Sequence, residues 1–262
     1  MKIAFDLISD LHAESWPNFD WSGAATSPFC LVAGDIARDH DVVSSVLTEL
    51  SQHYLEVLYI DGNDEHRLRY DDIAESIENL SAICNQFDNV TFLHDKVPVL
   101  NGVAFVGVNG WWTFDTCAAV SYEDAQTACA EYLERDDEVC QRIFNHALSD
   151  AVYAQTCVSR LQTHLDVTDI VMVCHTVPNI DLIAHDLDLK DTWRMACSGN
   201  SLLKQSVLDA DTEHKITKWC FGHYHPEVNW SLDGVRYINN CRGKNGTKWC
   251  RYPYFPRRIE IN

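Results

Sequence analysis

The chain has 262 residues, with 20 Lys+Arg against 39 Asp+Glu and a formal net charge of −19. It is long enough for one large α/β core, so a single domain over residues 1–262 is expected. Such acidity argues against broad attraction to nucleic acid or an anionic membrane, both of which call for a basic face.

The eleven cysteines are odd in number and contain no Cys-x-x-Cys pair, so neither a disulfide framework nor a structural zinc finger is signalled. They read as buried reduced thiols. The first ten residues lack the apolar run of a signal peptide, and no stretch of about 18 apolar residues exists to span a membrane. A reducing cytoplasm is the expected location. Charge is uneven, however. Between Gly234 and Ile259 stand Arg236, Arg242, Lys244, Lys248, Arg251, Arg257 and Arg258 with no acidic residue. This segment reads either as a local positive surface or as a solvated tail.

In chain order, short apolar runs predict strands over Ile3 to Ile8, Phe29 to Ala33 and Val57 to Ile60. Val42, Val43, Val46, Leu47 and Leu50 predict a helix from Asp41 to Tyr54, and Ile73, Ile77, Leu80 and Ile83 another from Tyr70 to Phe87. Strands follow at Val90 to Leu93 and Val103 to Val108, with Asn101-Gly102 as a tight turn before the second. Ser121 and Asp124 give a cap signal for a pair of helices from about Tyr122 to His164, read as a layer on the sheet or, as the alternative, a cap over the active face. Ile170 to Cys174 and Ile216 to Phe221 read as buried strands. Val228 to Leu232 and Val235 to Ile238 form a hairpin around Asp233-Gly234.

Polar signatures sit at the ends of these runs. Asp10 and His12 are two apart, so a continuing strand would point both to one side. Gly34-Asp35 follows Leu31-Val32-Ala33, at the strand end where open α/β sheets bind ligands; the competing reading is a helix N-cap. Gly62-Asn63 and His175 end two further runs, and alone would pass for a turn and a core histidine. Gly222-His223-Tyr224-His225 repeats the two-apart spacing with imidazoles. Carboxylate, imidazole and side-chain carbonyl are ligands of divalent metals, and the ordered set points to a two-metal site.

Order and spacing resemble the calcineurin-like metallophosphoesterase superfamily over residues 1 to about 243, and Ser9-Asp10-Leu11-His12-Ala13-Glu14 is similar to a small bacterial and phage branch of it. The resemblance implies two mixed β-sheets packed as a sandwich flanked by helices, with a helical region around residues 121–165. It implies that Asp10, His12 and His225 bind one metal, that Asp35 bridges, and that Asn63, His175 and His223 complete the second site. Two divalent ions (manganese, iron or zinc) would then hydrolyse a phosphoester of a small phosphodiester, nucleotide or phosphomonoester. Asn240-Cys241-Arg242-Gly243 matches an element of the branch and makes Arg242 a candidate phosphate contact, or else a structural hydrogen bond. Trp111 and Trp112 resemble the branch's aromatic element, where they would stack a base or wall the core.

One position departs from the family. Where Gly-Asn-His is usual, the chain has Gly62-Asn63-Asp64-Glu65-His66. Either His66 reaches the site, or Asp64 acts, or the metals suffice; a carboxylate beside cations is a poor proton donor. Asp64→Ala is accordingly expected to cost far less than Asp35→Asn. The rival readings are a nuclease of the same superfamily, which would use the basic segment, and a metal-binding scaffold without turnover. His40, His53, His94, His146, His164, His185 and His214 match no motif.

Overall fold

A computed structural model describes residues 3–16, 21, 23–117, 119–183 and 192–261. Among them, β1 (Ile3–Ile8), β2 (Phe29–Ala33), β3 (Glu56–Ile60) and β4 (Val90–Phe92) pair in parallel, and β11 (Arg257–Ile261) adds to β1 antiparallel. A second sheet has the order β5 (Val99–Leu100), β6 (Val103–Val108), β7 (Asp169–Cys174), β8 (Ile216–Phe221), β10 (Val235–Asn239) and β9 (Asn229–Leu232). Its central pairs are parallel and its two edge pairs antiparallel. The mixed two-sheet α/β architecture is the one expected.

The apolar runs are continuous because most strands are covered on both faces. Phe5 of β1 meets Phe105 of β6 at 5.5 Å between ring centroids, and Val171, Val173, Cys220 and Ile238 join the same core between the sheets. On the far side of the first sheet, α1 (His40–His53) and α2 (Ile73–Cys84) supply Val43, Leu47, Leu50 and Leu80. On the far side of the second, Ala104, Val106 and Met172 pack against Ala151, Ala154 and Val158 of α4 (Asp137–Gln162) and Leu203 and Val207 of α6 (Ser201–Ala210). Helix α3 (Tyr122–Leu133) starts at Ser121, whose Oγ accepts the Asp124 N–H at 3.1 Å.

The helical region divides its work, which the sequence reading did not anticipate. Much of α4 covers the sheet as expected, whereas α3 and the short α5 (Thr192–Ala196) pack with Trp111, Trp112 and Phe114 in a third core beside the strand ends. Strand β11 was also missed. Its buried Ile259 and Ile261 alternate with exposed Arg258 and Glu260, which fits an edge strand, but the surrounding basic residues mask it.

Candidate metal centre

The C-terminal ends of β1, β2, β3, β7 and β8 deliver their polar signatures to one place. His12 Nε2 and His225 Nε2 are 3.3 Å apart, and His225 Nε2 is 3.3 Å from Asp10 Oδ1. Beside them, Asn63 Oδ1 lies 3.1 Å from His175 Nε2 and 2.8 Å from His223 Nδ1. Asp35 faces both groups: Oδ1 is 3.3 Å from His175 Nε2, and Oδ2 is 3.9 Å from His12 Nε2. All seven predicted ligands are therefore together, in two adjoining sets that share Asp35.

The local backbone explains how the loops come so close. Asp10, His12, Asp35 and His223 have φ of 51°, 42°, 55° and 63°. This left-handed region costs a non-glycine residue about 1–3 kcal/mol and persists where surrounding structure enforces it. Glycine clears the space beside them. A Cβ on Gly62 would stand 2.3 Å from Asp35 Oδ1, and one on Gly222 would stand 2.6 Å from Asp10 Oδ2. Asp35 caps no helix; Asp39 does that for α1.

Glu65, which sequence reasoning passed over, ties two of these loops together. Its buried carboxylate accepts the N–H of Asp35 (3.1 Å), Ile36 (2.7 Å) and Gly62 (2.9 Å) and the Tyr59 hydroxyl (3.1 Å). Burial and the neighbouring Asp35 raise its pKa well above the carboxylate range. The only forewarning in the sequence was an acidic residue directly after a strand-end turn.

The donor set fits divalent metals. His175 Nδ1 lies 3.0 Å from the Ala33 carbonyl, an orientation that aims Nε2 at Asp35 and Asn63, as metal-binding imidazoles are commonly held. Burial works against charging His175, but Asp35 and Asp10 outweigh it and push its pKa up to about 10. His223 is lowered to about 4 by burial and then by His175. Burial opposes ionisation of Asp10 too, yet His225 and His175 hold it well below the usual range. Four imidazole nitrogens and several carboxylate oxygens converging in a largely buried space leave strong fields that a cation neutralises.

The other expected site residues are placed differently. His66 does not reach the ligands: its Nε2 is 2.7 Å from Asp61 Oδ2, both side chains are fully buried, and its ring packs near Trp111. The short 3-10 turn Asp64–His66 directs it inward. Arg242 packs with Cζ 4.0 Å from the Trp16 ring centre and is not among the residues that line the cleft. Asp64 does lie at the site, 3.3 Å from His12 Nδ1. His185 lies outside the described residues.

A cleft of about 350 Å³ opens over the ligands. Its floor includes His12, Asp35, Asn63, His223 and His225, with Lys244 beside Asp64 at the floor's edge, and its wall includes Arg67, Tyr132, Leu133 and Arg194. Trp111 is core, whereas Trp112 lines the cleft and stacks near His223 at 6.0 Å.

No family model matches the chain. The uncharacterised protein L509 of Acanthamoeba polyphaga mimivirus is 20% identical over 90% of this chain and 89% of its own length. Among solved structures, phosphopantetheinyl hydrolase from Mycobacterium tuberculosis superposes with a TM-score of 0.74 at 18% identity, covering 98% of this chain and 96% of that one. A dimetal phosphatase from Danio rerio gives a TM-score of 0.53 at 13% identity, over 90% and 86%. Two sheets back to back with ligands at their strand ends define a class of α/β proteins built around a strand-end site. Within it, this chain has the calcineurin-like metallophosphoesterase fold.

Proposed function

We propose that the chain is a two-metal phosphohydrolase that cleaves a small phosphodiester. The observation that carries this is the convergence of the seven donors into two sets sharing Asp35. Asp10, His12 and His225 would hold one divalent ion, Asn63, His175 and His223 the other, with Asp35 between them. Manganese, iron and zinc all suit these ligands. Such ions lower the pKa of a bound water and neutralise phosphoryl oxygens. The chain's own residues orient the ester, exclude bulk water along the α3 wall and supply donors at the cleft.

The cleft's volume suits an organic ester rather than phosphate alone. The fold likeness to a phosphopantetheinyl hydrolase makes a phosphopantetheinyl ester the first natural substrate to try. A nucleic-acid substrate is less well supported, because the basic segment is largely engaged internally. Arg251 and Arg257 pair with Glu227, Arg258 with Glu260, and Arg236 with Asn229. A cytoplasmic setting accords with eleven free cysteines, and no described helix is long and apolar enough to cross a membrane.

The test is purified protein loaded with manganese, iron or zinc and offered chromogenic phosphodiesters and phosphomonoesters, with metal content measured alongside. Diester turnover that chelation abolishes is expected. Bound metal without hydrolysis of any ester would instead mark a scaffold.

A further inference from the structure

Asp64 is the point where the sequence breaks the family pattern, and its surroundings show what takes over. Its carboxylate is almost wholly buried, yet Oδ2 faces three basic groups: Lys244 Nζ at 2.9 Å, Arg38 Nε at 3.3 Å and His12 Nδ1 at 3.3 Å. An oxygen that faces three nitrogen donors is placed as their acceptor, so Asp64 is not positioned as the proton donor of the site.

The donors that remain at the floor are few. One ring nitrogen of each of His175, His223 and His225 is turned toward the ligand sets. Tyr70 donates its hydroxyl to the Asn63 carbonyl at 3.3 Å, and the Arg67 guanidinium lies over Tyr132 on the α3 side, 5.1 Å from the ring centre. Arg38 does not line the cleft. Lys244 does, and an ammonium that gives one N–H to Asp64 keeps two more.

Lys244 is also held by its backbone, over a turn that the sequence reading credited to Arg242. Gly243, at φ 80°, donates its N–H to the Asp10 carbonyl at 2.9 Å. A Cβ there would meet the Trp249 carbonyl at 3.0 Å, so the turn needs glycine twice over. The Lys244 carbonyl accepts the Thr247 hydroxyl at 2.7 Å, and the following N–H, of Asn245, reaches Ser15 Oγ at 3.2 Å. The chain is pinned on both sides of Lys244 while Arg242 stacks on Trp16.

We propose that Lys244 is the catalytic residue that hydrogen-bonds the leaving oxygen during phosphoester cleavage, and that Asp64 is its positioning residue. This rests on the phosphohydrolase reading. In the step, a water oxygen bonds to phosphorus and the water gives up one proton to solvent. The bond from phosphorus to the leaving oxygen breaks, and its electron pair stays on that oxygen. Lys244 donates an N–H to it as negative charge grows; the oxygen then takes a proton from solvent, and Lys244 remains an ammonium throughout. One oriented donor of this kind is worth about 10²–10³ in rate.

The experiment compares Lys244→Met, Lys244→Arg and Asp64→Asn in the metal-loaded protein on phosphodiesters with alkyl, phenyl and dinitrophenyl leaving groups, with metal content measured for each. Lys244→Met is expected to lower kcat about a hundredfold on alkyl and phenyl esters and by less than about threefold on the dinitrophenyl ester, whose leaving group needs little help. Lys244→Arg should recover most of the loss. Asp64→Asn added to Lys244→Met should cost nothing further, because Asp64 acts through the lysine. An equal loss on all leaving groups, or none, overturns the proposal.

A second readout needs no turnover. Calorimetry of inorganic phosphate, whose fourth oxygen would occupy the leaving position, should show about tenfold weaker binding in Lys244→Met and near-normal binding in Lys244→Arg. A wild-type protein inactive on every ester would sink the phosphohydrolase reading, and the phosphate measurement would then decide the lysine's position alone. Unchanged phosphate affinity in Lys244→Met overturns it.

Discussion

The floor and the wall of the cleft are built on opposite terms. On the floor, the candidate ligands sit at the ends of buried strands, several in left-handed backbone conformations, with glycines where a side chain would strike a neighbour's polar atom. The wall comes from α3 and the segment around α5, where the exposed Tyr132 and half-buried Leu133 meet the cleft from a helix end. The floor has almost no room for substitution. The wall can change its side chains without disturbing a loop or a ligand. This contrast teaches a division of labour: the floor sets the chemistry, and the wall shapes what can approach it.

The sharpest way to break the comparison is to put one methyl group on the floor. Gly62→Ala drives a Cβ to 2.3 Å from Asp35 Oδ1. It should abolish metal retention and lower turnover by at least about a thousandfold, as completely as Asp35→Asn or His223→Ala. Elemental analysis and steady-state kinetics check this. Normal metal content in Gly62→Ala would show that the floor is softer than its geometry implies.

Next in size is the clamp beneath the floor. Glu65→Ala leaves three buried N–H groups and a tyrosine hydroxyl without their acceptor and should cost about 3–5 kcal/mol by denaturant titration. A loss below about 1 kcal/mol would mean that other acceptors replace it.

A third test falls on the joint between the layers, where Asp150 of α4 accepts the Gly110 N–H at 2.7 Å just beyond β6. Burial raises the Asp150 pKa to about 7, with the Gly110 and Trp111 N–H groups pulling the other way. Between the unfolded value of about 3.9 and the folded value, the native state binds more protons, so this group makes stability fall as pH rises across that window. The loss should be a few kcal/mol, and Asp150→Asn should remove it while keeping an acceptor for Gly110. Parallel pH–stability curves for the two proteins would refute the assignment.

The smallest expected effect is on the wall. Tyr132→Ala and Leu133→Ala should raise KM for a bulky phosphodiester about tenfold, leave kcat within about twofold and leave metal content and melting temperature unchanged. A fall in metal content would erase the distinction between wall and floor.

Much of this could be read along the chain. Ile3–Ile8, Phe29–Ala33, Val103–Val108 and Ile216–Phe221 begin and end where their apolar runs do, because strands buried on both faces advertise themselves by continuous hydrophobicity. The seven candidate ligands were legible because each follows the end of such a run. That Asp35 faces both sets was suggested by its strand-end position and the family resemblance, and the distances place it between them. The helices around α3 were legible as helices, but not as a wall, since amphipathic spacing says that a face is buried and not what it is buried against.

Sequence by itself determined the strands, the polar residues at their ends and the glycines that let those ends meet, all properties of residues near one another in the chain. Tertiary structure alone decided which basic residue lines the cleft beside Asp64. Arg242 and Lys244 are near neighbours in one loop, yet the positive φ of Gly243 sends one onto Trp16 and the other to Asp64. Where a long side chain ends up depends on the rotation of the backbone beneath it and on partners far away in sequence, and neither is written in the residue type.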